Sequence, residues 1–396
     1  MRNEEKQWAC SVSRRNAIRA LTAYFTTSPF LLGQQDPFRD HSRVPKLEEL
    51  LTAFDFEPVA FAKLPRLAYN YTAYGVEGEF TLRRNRAAFD LVQLLPRANK
   101  ADKVDTSTKL FGNSLAFPIL VAPTAGHTQL HPEGETATYR AASAASKTPM
   151  IVSNNASLPL GKIKAKVDGN LWWQLYPRQS LDDSKALLDT AQMNGAQAIV
   201  VTIDQQSSYY ERAFHDRNIG GRAPTTGRGA RPGGDQNPYR VLNNRAWYSW
   251  SYFDQIRPMI KVPMLAKGVL TAEVAAMCLE HGVDGIVVSN HGGRAMDYSP
   301  STLEVLPEIV DAVRGRVPVL IDSGFRRGSD ILKALALGAN AVCLGRVPRW
   351  GLAAYGSEGV QRVLEILQNE LVLAMAQNGC PTIASVDRSL VRTHFT

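Results

Sequence analysis

The stretch SNHGGRAMD, residues 289–297, sets a proton acceptor and a fixed cation three residues apart, His291 and Arg294, directly after the apolar run DGIVV. An imidazole of ordinary pKa, about 6.5, takes a proton near neutrality, and a guanidinium holds a carboxylate through two parallel hydrogen bonds. The pair suits a small acid, gripped at one end and deprotonated at the other. Polar groups recur in the same setting, each just past an apolar run: Pro123-Thr124-Ala125, Ser153-Asn154-Asn155, Gln174-Leu175-Tyr176, Thr202-Ile203-Asp204, Lys267-Gly268, Asp322-Ser323-Gly324-Phe325-Arg326 and Gly345-Arg346. Capping of the following helices explains part of this polarity. It does not explain why nearly every run ends polar while its body stays apolar.

Two of these ends, in DSGFRRG and LGR, combine Arg326 and Arg346 with glycines whose backbone N–H groups can approach an anion. A guanidinium fork matches a phosphate dianion better than an ammonium does, and two surface arginines after tight turns are the plainer alternative. Thr124, Ser153, Gln174 and Thr202 offer uncharged donors and acceptors to the edge of a flat heteroaromatic ring. Lys267 adds a positive charge for a ring that becomes anionic when reduced. The set points to flavin mononucleotide (FMN), whose one phosphate matches one phosphate site.

What must position these residues is a repeated unit. From Phe117 onward, FPILVAP, PMIVSN, LWWQLY, AIVVTID, VPMLAKG, DGIVVSN, VPVLIDSG and AVCLGR alternate with helix-patterned segments such as GETATYRAASAAS and GSDILKALALGA, and EGVQRVLEILQNELVLAMA closes the series. Eight strand–helix units predict an α/β fold, a (β/α)8 TIM barrel over about residues 117–380. In that fold the strands' carboxyl ends share one face, and phosphate sites follow strands seven and eight. A doubly wound open sheet is the alternative, but no GxGxxG follows any strand. Ahead of the barrel, VPKLEELLTAFDFEPVAFAKL reads as an extension of short amphipathic helices, and TKLFGNSLAF as a hairpin turning at Gly112-Asn113.

Two segments break the rhythm. Residues 205–246, rich in Gly, Arg, Asn and Pro, make a long loop after the fourth strand, either a cationic lid or a disordered segment. Residues 1–45 precede the domain 46–396, and their SRRNAIRALTAYFTTSPFLLG is either a twin-arginine export signal or a basic tail, so localisation stays open between cytoplasm and export. The +8 charge is spread along the chain, which favours a small anionic ligand over nucleic acid. No run is long and apolar enough for an integral membrane segment. Four scattered cysteines without a CxxC pair indicate neither a disulfide scaffold nor a metal site.

With these residues in place, the sequence resembles the FMN-dependent α-hydroxy-acid oxidizing family, which includes glycolate oxidase, lactate oxidase, the L-lactate dehydrogenases and mandelate dehydrogenase. SNHGGRAMD is similar to the family's signature around its catalytic histidine; LPRLAYNYTAYG, APTA with HPEGE, QLY, TID, AKGV, DSGFRRGSDILKALALGA and LGR agree in order and spacing, from about Leu64 to Thr382. The resemblance implies FMN at the barrel mouth and oxidation of an L-2-hydroxy acid, lactate-like or larger, to the keto acid. His291 would accept the proton, Asp204 would hold its imidazole, and Arg294 would partner the substrate carboxylate. Tyr71 and Tyr176 would bond the carboxylate and hydroxyl, and Arg212 would be a second carboxylate arginine if one residue is inserted after Asp204. Pro123, Thr124, Ala125, Ser153, Gln174, Thr202, Lys267, Ser289, Asp322, Ser323 and Gly324 would border the cofactor, with Arg326, Gly345 and Arg346 at its phosphate.

The resemblance also implies a homo-oligomer, a homotetramer or larger. It leaves open whether oxygen, a quinone, a cytochrome or a carrier peptide reoxidizes the flavin, and residue types do not separate hydride transfer from α-proton abstraction. The sequence departs from the family at Asn155, where several members carry a bulky aromatic, and at Gly126-His127, where many have Met-Gln or similar. A pocket roomier or more polar than one for glycolate is expected, and His127 reads as a flavin-side or structural contact. An FMN barrel of the isomerase type, or a flavin-binding protein without turnover, are the other readings.

Overall fold

Apolar runs without polar alternation are buried on both faces, which a parallel strand achieves only between an inner core and an outer layer of helices. In the computed structural model, which describes residues 43–165, 167–178, 180–204 and 249–395, these runs form that arrangement. The chain from Lys46 onward is one compact unit. The twin-arginine stretch and the expected lid, including Arg212, lie outside the described residues.

The unit opens with helices α1 (Phe56–Lys63), α2 (Arg66–Ala73) and α3 (Phe80–Ala87), then strand β1 (Val92–Leu94) and the hairpin β2 (Thr108–Leu110) and β3 (Asn113–Leu115). The barrel strands follow in the order β4 (Ile119–Val121), β5 (Met150–Ser153), β6 (Leu171–Leu175), β7 (Ile199–Thr202), β8 (Met264–Val269), β9 (Gly285–Val288), β10 (Val319–Asp322) and β11 (Ala341–Leu344). Each is parallel to the next, and β11 pairs back onto β4, Val342 against Ile119, so the sheet closes without an edge. The fold is the (β/α)8 barrel that the pattern predicts. A last strand, β12 (Val391–Thr393), pairs antiparallel with β1 outside the barrel.

Strand alternation divides the core in two. Leu120, Ile151, Trp172, Val200 and Leu265 point into the barrel, while Ile119, Val121, Val152 and Val201 face the helices. The hairpin joins the inner cluster through Leu110, Leu115 and Phe111, whose ring lies 5.7 Å from that of Trp172. Gly285, at the start of β9, has no room for a side chain because a Cβ there would come within 2.8 Å of the Phe111 ring. The hairpin thus plugs the strands' amino ends and leaves the carboxyl ends for the site.

Two expectations are corrected. The hairpin turns at Phe111-Gly112, not Gly112-Asn113, because Leu110 pairs with Asn113 and both loop residues have positive φ, 49° and 80°. The packing of the half-buried Phe111 ring against Trp172 and the inner cluster offsets the cost of its left-handed backbone. The outer helices are α4 (Gly134–Ala144), α5 (Leu160–Lys164), α6 (Leu181–Met193), α7 (Trp250–Ile256), α8 (Ala272–Glu280), α9 (Thr302–Val313), α10 (Gly328–Ala336) and α11 (Arg346–Gln377). The last begins twelve residues before the expected EGVQ start, with its helix broken at Tyr355 and Gly356. Pro348 is tolerated because it sits in the first turn, where no intrahelical N–H is needed. Ser180, Thr271 and Ser301 cap α6, α8 and α9 through their side-chain oxygens. Among the described residues no helix is long and apolar enough to cross a membrane.

Candidate active site

The turn after β9 explains the spacing of His291 and Arg294. His291, Gly292 and Gly293 are three consecutive left-handed residues, with φ of 58°, 66° and 74°. A side chain at Gly293 would come within 2.7 Å of the Leu82 backbone nitrogen. A left-handed histidine is strained, and the surroundings hold it: its N–H donates to Ser289 Oγ at 3.1 Å, and the Gly292 N–H to Ser323 Oγ at 3.1 Å. The tight reversal sends the two side chains to different partners.

His291 Nδ1 lies 2.9 Å from Asp204 Oδ1 at the end of β7. An ionised carboxylate can only accept, so Nδ1 carries a proton, and in the neutral ring the lone pair available as a base is that of Nε2, 3.5 Å from Tyr176 Oη. Burial alone would raise the Asp204 pKa, but the Lys267 ammonium and the His291 ring outweigh it and hold the carboxyl below its ordinary value. Burial likewise works against the Lys267 charge, while Asp204 and Asp322, with oxygens 3.9 and 3.7 Å from Nζ, raise its pKa. Ser289 Oγ donates to Asp322 Oδ2 at 2.9 Å, and the line from His291 to Asp322 is continuous.

Arg294 turns the other way. Its Nη1 donates to the carbonyls of Tyr71 and Tyr74, both at 2.8 Å, and its guanidinium lies 5.0 Å from the centre of the Tyr71 ring. These contacts tie the end of α2 to the barrel mouth and bring in Tyr71, which sequence alone leaves on a helix outside it. Arg349 lies 5.6 Å from the same ring, only 3% exposed, with Nε and Nη2 on Thr72 Oγ1 and Nη1 on the Ala125 carbonyl. Arg346 occupies three of its five N–H bonds on the carbonyls of Thr72, Gly292 and Tyr74. Burial and the charges of Arg294 and Arg326 push its pKa down to about 9, and burial, more than the Arg294 charge, lowers that of Arg349 to about 10.

All this surrounds one pocket at the strands' carboxyl ends, with about 980 Å³ of empty space, its open mouth included. Of the expected site residues, Tyr71, Pro123, Thr124, Ala125, Ser153, Asn155, Tyr176, Lys267, His291, Arg294, Asp322, Ser323, Gly324, Arg326, Gly345 and Arg346 line it. Gln174, Thr202, Asp204 and Ser289 do not; Gln174, Asp204 and Ser289 stand one hydrogen bond behind, on Ser153, His291 and Asp322. The sequence reading missed Arg349, Thr72 and Cys343, which also line the pocket. Nothing in the local pattern marks Arg349, because it lies in the first turns of α11.

The donor set asks for an anion. Arg326, Arg346 and Arg349 have no carboxylate within ion-pair distance among the described residues, and Gln174 Nε2 is buried without a hydrogen-bond partner. A profile of the FMN-dependent dehydrogenase family matches residues 60–393. The chain belongs to this family. Its similarity extends to a peroxisomal (S)-2-hydroxyacid oxidase of Arabidopsis thaliana, 40% identical over 88% of this chain and 98% of that one. A 2-hydroxyacid oxidase of Dictyostelium discoideum is 36% identical over 87% of this chain and 91% of its own. A crystal structure of mandelate oxidase with (S)-2-phenylpropionate superposes with a TM-score of 0.78 at 35% identity, covering 87% of this chain and 99% of that one. The family's cofactor, FMN, fits a pocket rich in unneutralised cations and uncharged donors.

Proposed function

We propose that this chain oxidizes an (S)-2-hydroxy acid, lactate-like or larger, to the 2-keto acid with FMN bound in the barrel-mouth pocket. The observation that carries the reading is His291, its Nδ1 held by Asp204, and the Arg294 guanidinium, three residues apart and lining one pocket. FMN, when bound, would supply the acceptor for the two electrons and the α-hydrogen that the hydroxy acid gives up. Arg326, Gly345 and Arg346 are assigned to its phosphate and Lys267 to the part of the ring that gains negative charge on reduction. Pro123, Thr124, Ala125 and Ser153 are assigned to the ring's edge.

The chain's own residues supply the rest. Arg294 and Tyr71 hold the substrate carboxylate, which orients the α-carbon and selects the 2-hydroxy-acid class. Tyr176 bonds the hydroxyl, His291 Nε2 accepts its proton, and Asp204 stabilises the imidazolium so formed. Arg212 and Asn155 are assigned to substrate, Asn155 leaving room beyond a glycolate. The similarity to mandelate oxidase supports that choice. We assign oxygen as the electron acceptor, because the similar curated proteins are named oxidases, and a homotetramer as the assembly.

The test is anaerobic. Purified protein should be yellow and bleach with L-lactate or a longer L-2-hydroxy acid, then recover its colour within seconds of oxygen addition. Protein that stays oxidized with the whole panel, or bleaches fastest with glycolate, sinks the assignment. Recovery over minutes points to another acceptor. Light scattering on the eluting peak checks the tetramer.

A further inference from the structure

Behind the Pro123-Thr124-Ala125 turn lies a histidine that the chemistry above does not use. His127 is fully buried, with Nε2 2.7 Å from Thr124 Oγ1 and Nδ1 2.9 Å from Thr138 Oγ1 on α4. Its backbone N–H donates to Glu135 Oε1 at 3.2 Å, and the Ser157 N–H to the same oxygen at 2.8 Å. Burial and the Arg349 charge hold its pKa well below the ordinary value, against a smaller opposing pull from the Thr124 backbone. The ring is neutral, so one nitrogen donates and the other accepts.

Thr138 decides which. Its hydroxyl is wholly buried, and His127 Nδ1 is its one side-chain hydrogen-bond partner among the described residues. If Nδ1 carried the proton, Thr138 would accept it and its own hydroxyl proton would be buried without an acceptor, a cost that the other tautomer avoids. Thr138 therefore donates to Nδ1, Nε2 carries the ring proton, and Thr124 Oγ1 accepts from it. A hydroxyl that accepts from behind keeps its own proton for the front, and Thr124 lines the pocket.

We infer that His127 is a positioning residue for the cofactor: it fixes Thr124 as a hydrogen-bond donor into the pocket, favouring the electron-rich reduced ring over the oxidized one. The inference rests on the FMN placement proposed above.

The test uses the FMN-loaded full chain and its midpoint potential. His127→Leu should weaken reduced relative to oxidized FMN about fivefold, lowering the potential by about 20 mV at ~30 mV per tenfold for a two-electron couple. His127→Gln, whose amide can donate to Thr124 and accept from Thr138, should restore it. In a Thr124→Val background, His127→Leu should move the potential no further. An unmoved potential in His127→Leu, or an undiminished shift in the Thr124→Val background, overturns the inference. Should His127→Leu fail to fold, ¹⁵N NMR of the wild-type ring reads the tautomer directly: a protonated Nε2 is expected, and a protonated Nδ1 overturns it. Wild-type protein that holds no FMN refutes the cofactor placement instead, leaving the tautomer measurement standing.

Discussion

Ser323 is the residue whose replacement most sharply separates backbone strain from side-chain bonding at this site. It has φ of +82°, a left-handed backbone in a residue with a Cβ, which costs about 1–2 kcal/mol. Against that, its hydroxyl lies 2.7 Å from Asp322 Oδ1 and 3.0 Å from Asn290 Oδ1, and accepts the Gly292 N–H at 3.1 Å. A hydrogen bond to a charged group contributes about 1.5–3 kcal/mol. Ser323→Ala keeps the strain and loses the bond, so it should destabilise by about 2 kcal/mol. Ser323→Gly loses the same bond and adds about 0.5–1 kcal/mol of unfolded-chain entropy, but removes the strain, for a net cost of about 1–1.5 kcal/mol. Glycine should therefore be the more stable replacement by about 0.5–1 kcal/mol, the reverse of the order where φ is negative. Denaturant midpoints of the two FMN-loaded variants at equal m-value measure the difference. An alanine variant as stable as the glycine variant would show that Ser323 carries no strain and that the turn is not held as described.

Asp204→Asn should keep FMN bound but lower kcat by about 10²–10⁴, because an amide oxygen stabilises the imidazolium less well; retained wild-type turnover would refute the pairing. Arg294→Lys should chiefly raise KM for the hydroxy acid, since an ammonium cannot form the bidentate contact, and a change confined to kcat would count against carboxylate binding. The stability Asp204 contributes is complete above the unfolded pKa of about 3.9 and lost as pH falls through its lower folded value, while that of Lys267 is complete below about 10.4 and lost as pH rises through its higher folded value. The unfolding midpoint should fall as pH drops below about 4, and an Asp204→Asn variant whose acid limb matches that of the wild type would contradict this. Removing FMN should lower the melting temperature, with about 2.7 kcal/mol regained at a hundredfold excess of FMN over Kd and part of it by inorganic phosphate; no response to FMN would remove the arginine cluster as its site.

The barrel was legible because its signal is local. Each buried strand is a continuous apolar run, and each ends in the polar residues that the closed sheet then gathers on one face. Strand-borne members of the site were therefore readable one at a time: Ser153, Asp204, Lys267, His291 and Asp322 differ in type from the strand bodies before them. The hairpin was misplaced by one residue because the turn depends on Phe111, whose left-handed backbone is repaid by a barrel interior that its neighbours in sequence do not announce. Arg349 escaped for the same physical reason. It sits in the helix after β11, and its meaning lies in Thr72, Tyr71 and Ala125, more than two hundred residues away.

His127 is intermediate between the two cases. Its place after the Pro-Thr-Ala turn is visible in the sequence, but its role depends on Thr138, on the helix that follows, having no second acceptor among the described residues. Local chemistry thus shows which residues could act, whereas the hydrogen-bond partners decide the form in which they act. Asp204 makes the point at the centre of the site. The sequence shows a histidine and an aspartate in separate strand ends; only their 2.9 Å contact at Nδ1 leaves Nε2 as the base, and the nearby Lys267 together with the His291 ring holds the aspartate's pKa down against its own burial. The protonation states that the proposed chemistry needs are therefore properties of the closed barrel, which no single strand carries alone.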